Sequence, residues 1–539
     1  MKDIGSRKQL FIDDAFFDRV DGVKLTMNPP AKMDVPAIVP DRPWEVGPIH
    51  RPSVVPVEGG YHLYYASDSG GVSRMPGHPR GILCVAFSND GITWEKPELG
   101  LVEFNGSKAN NILMPTGEDD FNEGTVIQDT RPGIPDDEKY KGIFRWLPED
   151  PAAVGVSDQY PSEWIFKSPD GLRWTRMTDQ PSYSTSDVAH TAFWDERIGK
   201  YAIYMRYNAP PYYDPEPMQE VTDRHGREVV IANALATRSG SPDESFQDGE
   251  NFIKKKIAPN DGRSYIACAY RKVGRFETDD ITQWADRETW GQEPPWVPMS
   301  FDDQDPPGMD VENGGATKYP WADDVYFMFP HMYLHDAVPP VGTVHNDGDG
   351  EVRLATSRDG IDFRYITRSP FVPLGALGEF DCSMIKGIAP GMIRTDTKIL
   401  QYYPASDNHH RHNFYVLKEA PGEVFPPMIG RLVSRLDGFV SVDAPYEGGE
   451  FTTVPVTFEG NELHLNVFTS LAGMAKVELL RDGKPVKGHT LEDADPIIGN
   501  HIDQAVTWKG SADVSAQAGA AIQLRFVMKE AKLYALQFV

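Results

Sequence analysis

The chain has 539 residues, 40% hydrophobic and 11% aromatic, enough for two packed cores and unlike a disordered chain. Its formal net charge of −27 is spread along the sequence, which argues against a broad basic face for nucleic acid and leaves a neutral or locally recognised ligand. No apolar run reaches membrane-spanning length, and Cys84, Cys268 and Cys382 are too sparse and too irregularly spaced to imply a disulfide framework or a zinc site.

Met1-Lys-Asp-Ile-Gly-Ser-Arg7 has no apolar signal core, so the chain reads as cytoplasmic, or as periplasmic or secreted after loss of a leader. Gln9-Leu-Phe-Ile-Asp13 is a short strand that adds either to the last repeat or to the C-terminal sheet. A phrase then recurs: Ser88-Asn-Asp90-Gly91-Ile-Thr-Trp94, Ser168-Pro-Asp170-Gly171-Leu-Arg-Trp174, Thr278-Asp-Asp280-Ile-Thr-Gln-Trp284, Ser357-Arg-Asp359-Gly360-Ile-Asp-Phe363 and Ser434-Arg-Leu-Asp437-Gly438-Phe439. The acidic residues stand 80, 110, 79 and 78 positions apart, a period that marks a repeated supersecondary unit. Each phrase follows an apolar run and reads as a turn in which Asp caps the backbone, Gly accepts positive φ and the aromatic re-enters the sheet.

Upstream of each phrase lies a pair of apolar strands, such as Arg51-Pro-Ser-Val-Val-Pro56 with Tyr61-His-Leu-Tyr-Tyr65. Three or four strands per repeat, five times, predict a five-bladed β-propeller over residues 1–440. The long third interval holds a polar, Pro-rich insertion from Asn208 to Gly262, read either as a rim over the channel mouth or as a solvated loop. After Phe439 short alternating strands replace the period, which predicts a β-sandwich over 441–539, packing against the propeller. The fold class is therefore all-β.

In such a ring the first strand of each blade lines the channel, and ligands bind where the strand starts converge. Those starts carry Ile49-His50-Arg51, Asn122-Glu123, Asp187-Val-Ala-His190, Asp310-Val-Glu312-Asn313 and Glu379-Phe-Asp381. Any one of these carboxylates is equally a turn cap or a solvated residue; repetition at equivalent positions singles out the group. Glycosyl transfer needs one carboxyl to protonate the leaving oxygen and another to attack the anomeric carbon or activate water. Glu123, Asp187, Glu312 and Asp381 are the catalytic candidates, with Asp187 expected as nucleophile or base and Glu312 as proton donor. Substrate binding is expected from His50, Arg51, His190, Arg206, His331 and His409, with Trp44 stacking on a sugar. No metal or other cofactor is expected, because the adjacent histidines of Asn408-His-His-Arg-His412 do not by themselves converge.

The repeat phrase, the five repeats and the trailing strands resemble the five-bladed glycoside hydrolases of the invertase, arabinanase and mannoside-phosphorylase group. Gln9-Leu-Phe-Ile-Asp-Asp14, Pro40-Asp-Arg-Pro-Trp-Glu45, Trp94-Glu-Lys-Pro-Glu-Leu-Gly100 and Arg435-Leu-Asp-Gly-Phe-Val-Ser441 look like a bacterial group described as glycoside hydrolase family 32-like. The invertase signature Trp-Met-Asn-Asp-Pro-Asn-Gly has no counterpart here, and Glu379-Phe-Asp-Cys382, similar to the invertase acid motif, falls in the fifth repeat instead of the third. The resemblance therefore implies the fold and a hydrolase acting on the end of an oligo- or polysaccharide, without fructosidase activity. A phosphorylase using His50, Arg51, Arg206 and Lys318, a sugar lyase, and a carbohydrate-binding propeller without catalysis are the competing readings. The expected partner is an oligosaccharide or glycoside, not nucleic acid or membrane.

Overall fold

A computed structural model describes residues 1–45, 47–68, 81–114, 120–147, 162–183, 190–208, 219–224, 226–233, 264–268, 271–284, 293–335, 348–407 and 427–539. The fold is all-β, with short 3-10 turns as its helical content among the described residues, and its sheets have a propeller-like arrangement. Four antiparallel four-stranded units follow one another. The first comprises Ile49–Val57, Gly60–Asp68, Gly81–Ser88 and Ile112–Met114, and the second Asp120–Gln128, Tyr140–Leu147, Ser162–Ser168 and Thr175–Arg176. The third comprises Thr191–Asp195, Lys200–Asn208, Arg271–Thr278 and Trp296–Met299. In the fourth, the three inner strands are each broken in two, as in Met309–Asn313 followed by Ala316–Lys318, where Gly315 adopts φ +56°.

The register repeats as well as the order. Tyr61, Tyr140, Tyr201 and Tyr326 each pair across the ladder with the Ser or Thr that opens the turn phrase, at Ser88, Ser168, Thr278 and Ser357. The phrase itself builds the expected turn. Asp90 Oδ1 accepts the amides of Ile92 and Thr93 at 2.7 and 2.9 Å, Ser88 Oγ accepts that of Gly91, and Gly91 sits at φ +70°. The Asp170 and Asp359 turns repeat these bonds. In three of them the glycine carbonyl also accepts a tyrosine hydroxyl from a different strand set: Gly91 from Tyr402, Gly171 from Tyr64 at 3.0 Å, and Gly360 from Tyr204 at 2.7 Å. The third phrase replaces Gly with Ile281, which is buried beside Ile143 instead. The fifth departs further: Asp437 is itself at φ +59° and binds Lys8 at 2.9 Å and Tyr319 at 2.7 Å, so it ties distant segments together where a local cap was expected.

After the fourth unit, Met384–Ile385, Ile393–Arg394, Lys398–Ser406 and Met428–Arg435 form further antiparallel pairs, and Ala31–Lys32 joins the last of them as its outer neighbour. Apolar clusters fill the spaces between successive sets. Tyr64 and Val85 meet Val126 and Phe144; Ile127 and Ile165 meet Ile203 and Trp284; Tyr204 and Val273 meet Val311 and Met328. Phe327 and Val352 meet Ile399 and Leu432, and Leu400 and Ile429 meet Ile49 and Leu63 of the first unit.

Beyond residue 440, Leu463–Arg481 and Gln523–Phe538 pair along most of their length, over a core that includes Phe451, Val477, Leu524 and Phe526. The N-terminal segment belongs to this sheet: Gln9–Leu10 pairs with Gln523–Phe538, while Phe17–Asp21 and Lys24–Met27 pair with Gly449–Thr453 and Val440–Ala444. Within the insertion, Gln219–Thr222, Glu228–Asn233 and Ser264–Cys268 form a separate three-stranded sheet, and Arg224 reaches Asp349 of the fourth unit at 2.5 Å.

The turn glycines give a direct test of packing between units. A Cβ at Gly171 stands 2.2 Å from the Tyr64 hydroxyl, whereas at Gly133 (φ +75°) it meets nothing within 4 Å. Gly133→Ala is expected to cost about 1–2 kcal/mol for the left-handed backbone alone, and Gly171→Ala about 1–3 kcal/mol more for the clash. Urea unfolding midpoints check this; equal midpoints for the two variants contradict it.

Candidate functional site

The innermost strands carry β-bulges near their starts. Register slips between His50 and Ser53, between Phe121 and Glu123, and between Val311 and Asn313, so Arg51, Asn122 and Glu312 fall at the irregular positions. Pro52 has no N–H for the ladder, which accounts for the first slip, and it leaves Arg51 at φ +50°. A bulge turns a side chain off the alternating pattern, and here charged groups, Arg51 and Glu312, stand at two of them.

Two ion-pair groups result. In one, Glu123 is buried; Arg51 donates to it through Nε at 2.7 Å, Arg145 lies 3.4 Å away and His50 3.8 Å away. Burial pushes the Glu123 carboxyl up, but the charges of Arg51, Arg145 and His50 and the Arg51 hydrogen bond outweigh it and hold the group at about 2. Arg145 also approaches Glu163 at 3.7 Å, and Glu163 lies 3.3 Å from His190. His190 is buried edge-on to Trp284 at the junction of the second and third units.

In the other group Glu312 ion-pairs with Arg206 at 2.9 Å and with Arg271. Arg271 continues to Asp310 at 3.0 Å, which also contacts His335 at 3.1 Å; burial raises the Asp310 carboxyl, but Arg271 and His335 outweigh it and hold it well below the usual range. His331 is fully buried, and burial followed by the charges of Arg51, Arg271 and Lys386 keeps its imidazole far below its ordinary value, hence neutral. Arg51 of the first group and Asn313, next to Glu312 of the second, line one cavity.

The expected residues therefore separate. Glu123 groups with His50 and Arg51 and Glu312 with Arg206, while His190 joins the first group through Glu163 and Arg145 and His331 is buried on the fourth unit. Asp381 does not join them: its partners are Lys32 at 2.9 Å, on the outer strand Ala31–Lys32, and the Tyr403 hydroxyl at 2.7 Å. Trp44 is tied down by its Nε1 donating to Asn111 at 2.9 Å and packs edge-on to Phe104. Lys318 pairs with Asp195 and Glu196 at the turn end of its unit. Asp187 and His409 lie outside the described residues.

Arg145, Glu163, Arg271 and Asp310 were not among the expected site residues. One signal pointed to Arg145: it stands five residues after Tyr140, as Arg206 does after Tyr201 and His331 after Tyr326. Arg51, Thr125, Thr191, Asn313 and Lys386, drawn from every strand set, wall a common cavity beside these groups.

Because the Glu123 carboxyl is held near 2 against an ordinary 4.5, its ionisation stabilises the fold above pH 4.5, and that contribution is lost as pH falls from 4.5 towards 2. Glu123→Gln removes the carboxylate that Arg51 and Arg145 share, so the variant is expected to melt below the wild type at neutral pH. The gap should narrow as pH falls from 4.5 towards about 3, because Glu123 of the unfolded chain takes up its proton there while that of the folded chain stays ionised. Calorimetric melting temperatures across that range check this; a gap constant with pH contradicts it.

No family model matches the chain, and no curated protein does. Solved structures similar to it include an N-acetylgalactosamine deacetylase from F. plautii in complex with blood group B trisaccharide, at 13% identity and TM-score 0.42, covering 76% of this chain and 95% of that one. A glycosyl hydrolase from Bacteroides ovatus gives 13% identity and TM-score 0.39, over 80% and 96%. A glycoside hydrolase family 43 arabinoxylan arabinofuranohydrolase from Bacillus subtilis, in complex with cellotetraose, gives 13% and 0.37, over 93% and 97%.

Proposed function

We infer that this protein is a glycoside hydrolase acting on the end of an oligo- or polysaccharide chain. The reading rests on two buried carboxylates, Glu123 just past a bulge on the second unit and Glu312 at a bulge on the fourth, each beside a residue that lines one cavity, Arg51 and Asn313. Glu123 is the ionised group suited to act as nucleophile or base. Glu312, between two guanidiniums, is in a setting for an anion instead of a proton donor, and it serves to orient the substrate and balance charge. Asp187, three residues before His190 in the sequence, is the further carboxylate that this proposal assigns to the chemistry. Asp381 holds the outer strand through Lys32 and takes no part in the chemistry. A pit on the axis suits a chain end better than the middle of a polymer.

The reading includes a ring of five blades, with the strands of 384–435 and Ala31–Lys32 making the fifth. It is supported by the cyclic sequence of apolar clusters, the last of which joins Leu400 and Ile429 to Ile49 and Leu63. Tyr402, which reaches back to Gly91, supports it too. The C-terminal strands, with the N-terminal segment added to them, are read as a β-sandwich packed on this ring, with the boundary near residue 440.

On a panel of glycosides including acidic sugars, Glu123→Gln and Glu312→Gln are each expected to lower kcat by about 10²-fold or more. Asp381→Asn is expected to keep kcat within about threefold of wild type while losing about 1–3 kcal/mol of stability, because Lys32 loses its counter-charge and keeps only the Pro373 carbonyl. Full activity in Glu123→Gln removes that residue from the mechanism, and wild-type stability in Asp381→Asn contradicts its role as an anchor.

A further inference from the structure

The wall of the axial cavity is chemically one-sided. Arg51, Thr125, Thr191, Asn313 and Lys386 come one from each strand set, and every one carries an N–H or O–H donor. The rest of the wall is Pro52, Pro404 and the run 387–390, so no carboxylate lines it. This holds although Glu123, Asp310 and Glu312 stand close by and the whole chain carries −27.

The donors are also poised. Thr191 is 5% exposed, and its buried hydroxyl has no partner among the described residues. Asn313 uses its carbonyl oxygen on the Gly315 amide at 3.2 Å, which leaves its NH2 group for a ligand. Arg51 engages Glu123 through Nε among the described residues and is held in a left-handed backbone that a non-glycine residue adopts only under strain. His331, near Arg51 and Lys386, has neither ring nitrogen hydrogen-bonded among the described residues. Donors without acceptors, buried beside cations, are costly unless an acceptor arrives.

We propose that this cavity is an anion subsite, taking one compact oxyanion: the carboxylate of an acidic sugar, or a free inorganic anion such as phosphate. Its ligand accepts hydrogen bonds from Thr191, Asn313 and Arg51 and is balanced by Lys386. The sugar source rests on the glycosidase reading; the anion site itself does not.

Isothermal titration of the full chain at constant ionic strength, with glucuronate, glucose and inorganic phosphate in turn, tests it. Glucuronate is expected to bind where glucose does not, and Thr191→Val and Lys386→Met are each expected to weaken binding about tenfold. Thr191→Val replaces an unpartnered hydroxyl by a methyl of the same shape, so it keeps the test readable if Lys386→Met fails to fold. Binding of phosphate without glucuronate keeps the subsite and assigns it to a free ion. No binding of either anion, equal binding of glucose and glucuronate, or unchanged anion affinity in Thr191→Val and in folded Lys386→Met overturns it. Anion binding by a protein that hydrolyses no glycoside sinks the glycosidase reading alone; hydrolysis of neutral glycosides without anion binding sinks this inference alone.

Discussion

Buried charges are neutralised across the junctions between units. Arg51 of the first unit meets Glu123 of the second, and Arg206 and Arg271 of the third meet Glu312 and Asp310 of the fourth. Taking an ion out of water costs several kcal/mol, and only a well-placed counter-charge offsets it. The site is therefore tolerable only when neighbouring units sit in the right order and register. Stability itself comes from elsewhere: the apolar clusters between the strand sets supply it, and each tyrosine-to-glycine bond between sets adds about 1 kcal/mol. Packing sets the geometry that the charges then require.

Much of the framework was legible in the sequence. The spacing of the turn phrase gave the repeat, and three phrases with adjacent Asp and Gly form the turn their chemistry dictates. Thr278 to Trp284 keeps the Asp280 cap although Ile281 replaces the glycine. The phrase at Ser434 misled because Asp437 is drawn into contacts with Lys8 and Tyr319, residues hundreds of positions away, which no local pattern encodes. The wrapping of the N-terminal segment was equally hidden. Ala31–Lys32 is two residues long and shows no periodicity, and Phe17–Asp21 is mostly exposed, so its hydropathy says nothing about its partner.

The site was less legible than the fold, for a related reason. Listing residues at strand starts assumes that equivalent positions point the same way, whereas side-chain direction has period two and each bulge inverts it. Glu312 stands at such a slip. Asp381 stands before a strand of two residues and points to the outer edge, where Lys32 neutralises it. Net charge is silent on the cavity: a chain of −27 holds one with no acid in its wall, because a total says nothing of which groups meet.

The central claim is that these strand sets bring Glu123, Glu312 and Arg51 around one site. A crystal structure with a bound monosaccharide tests it most directly. The account places the sugar ring over the axial cavity, within hydrogen-bond distance of the Glu123 and Glu312 carboxylates. A sugar bound on another surface, with these carboxylates untouched, would contradict it.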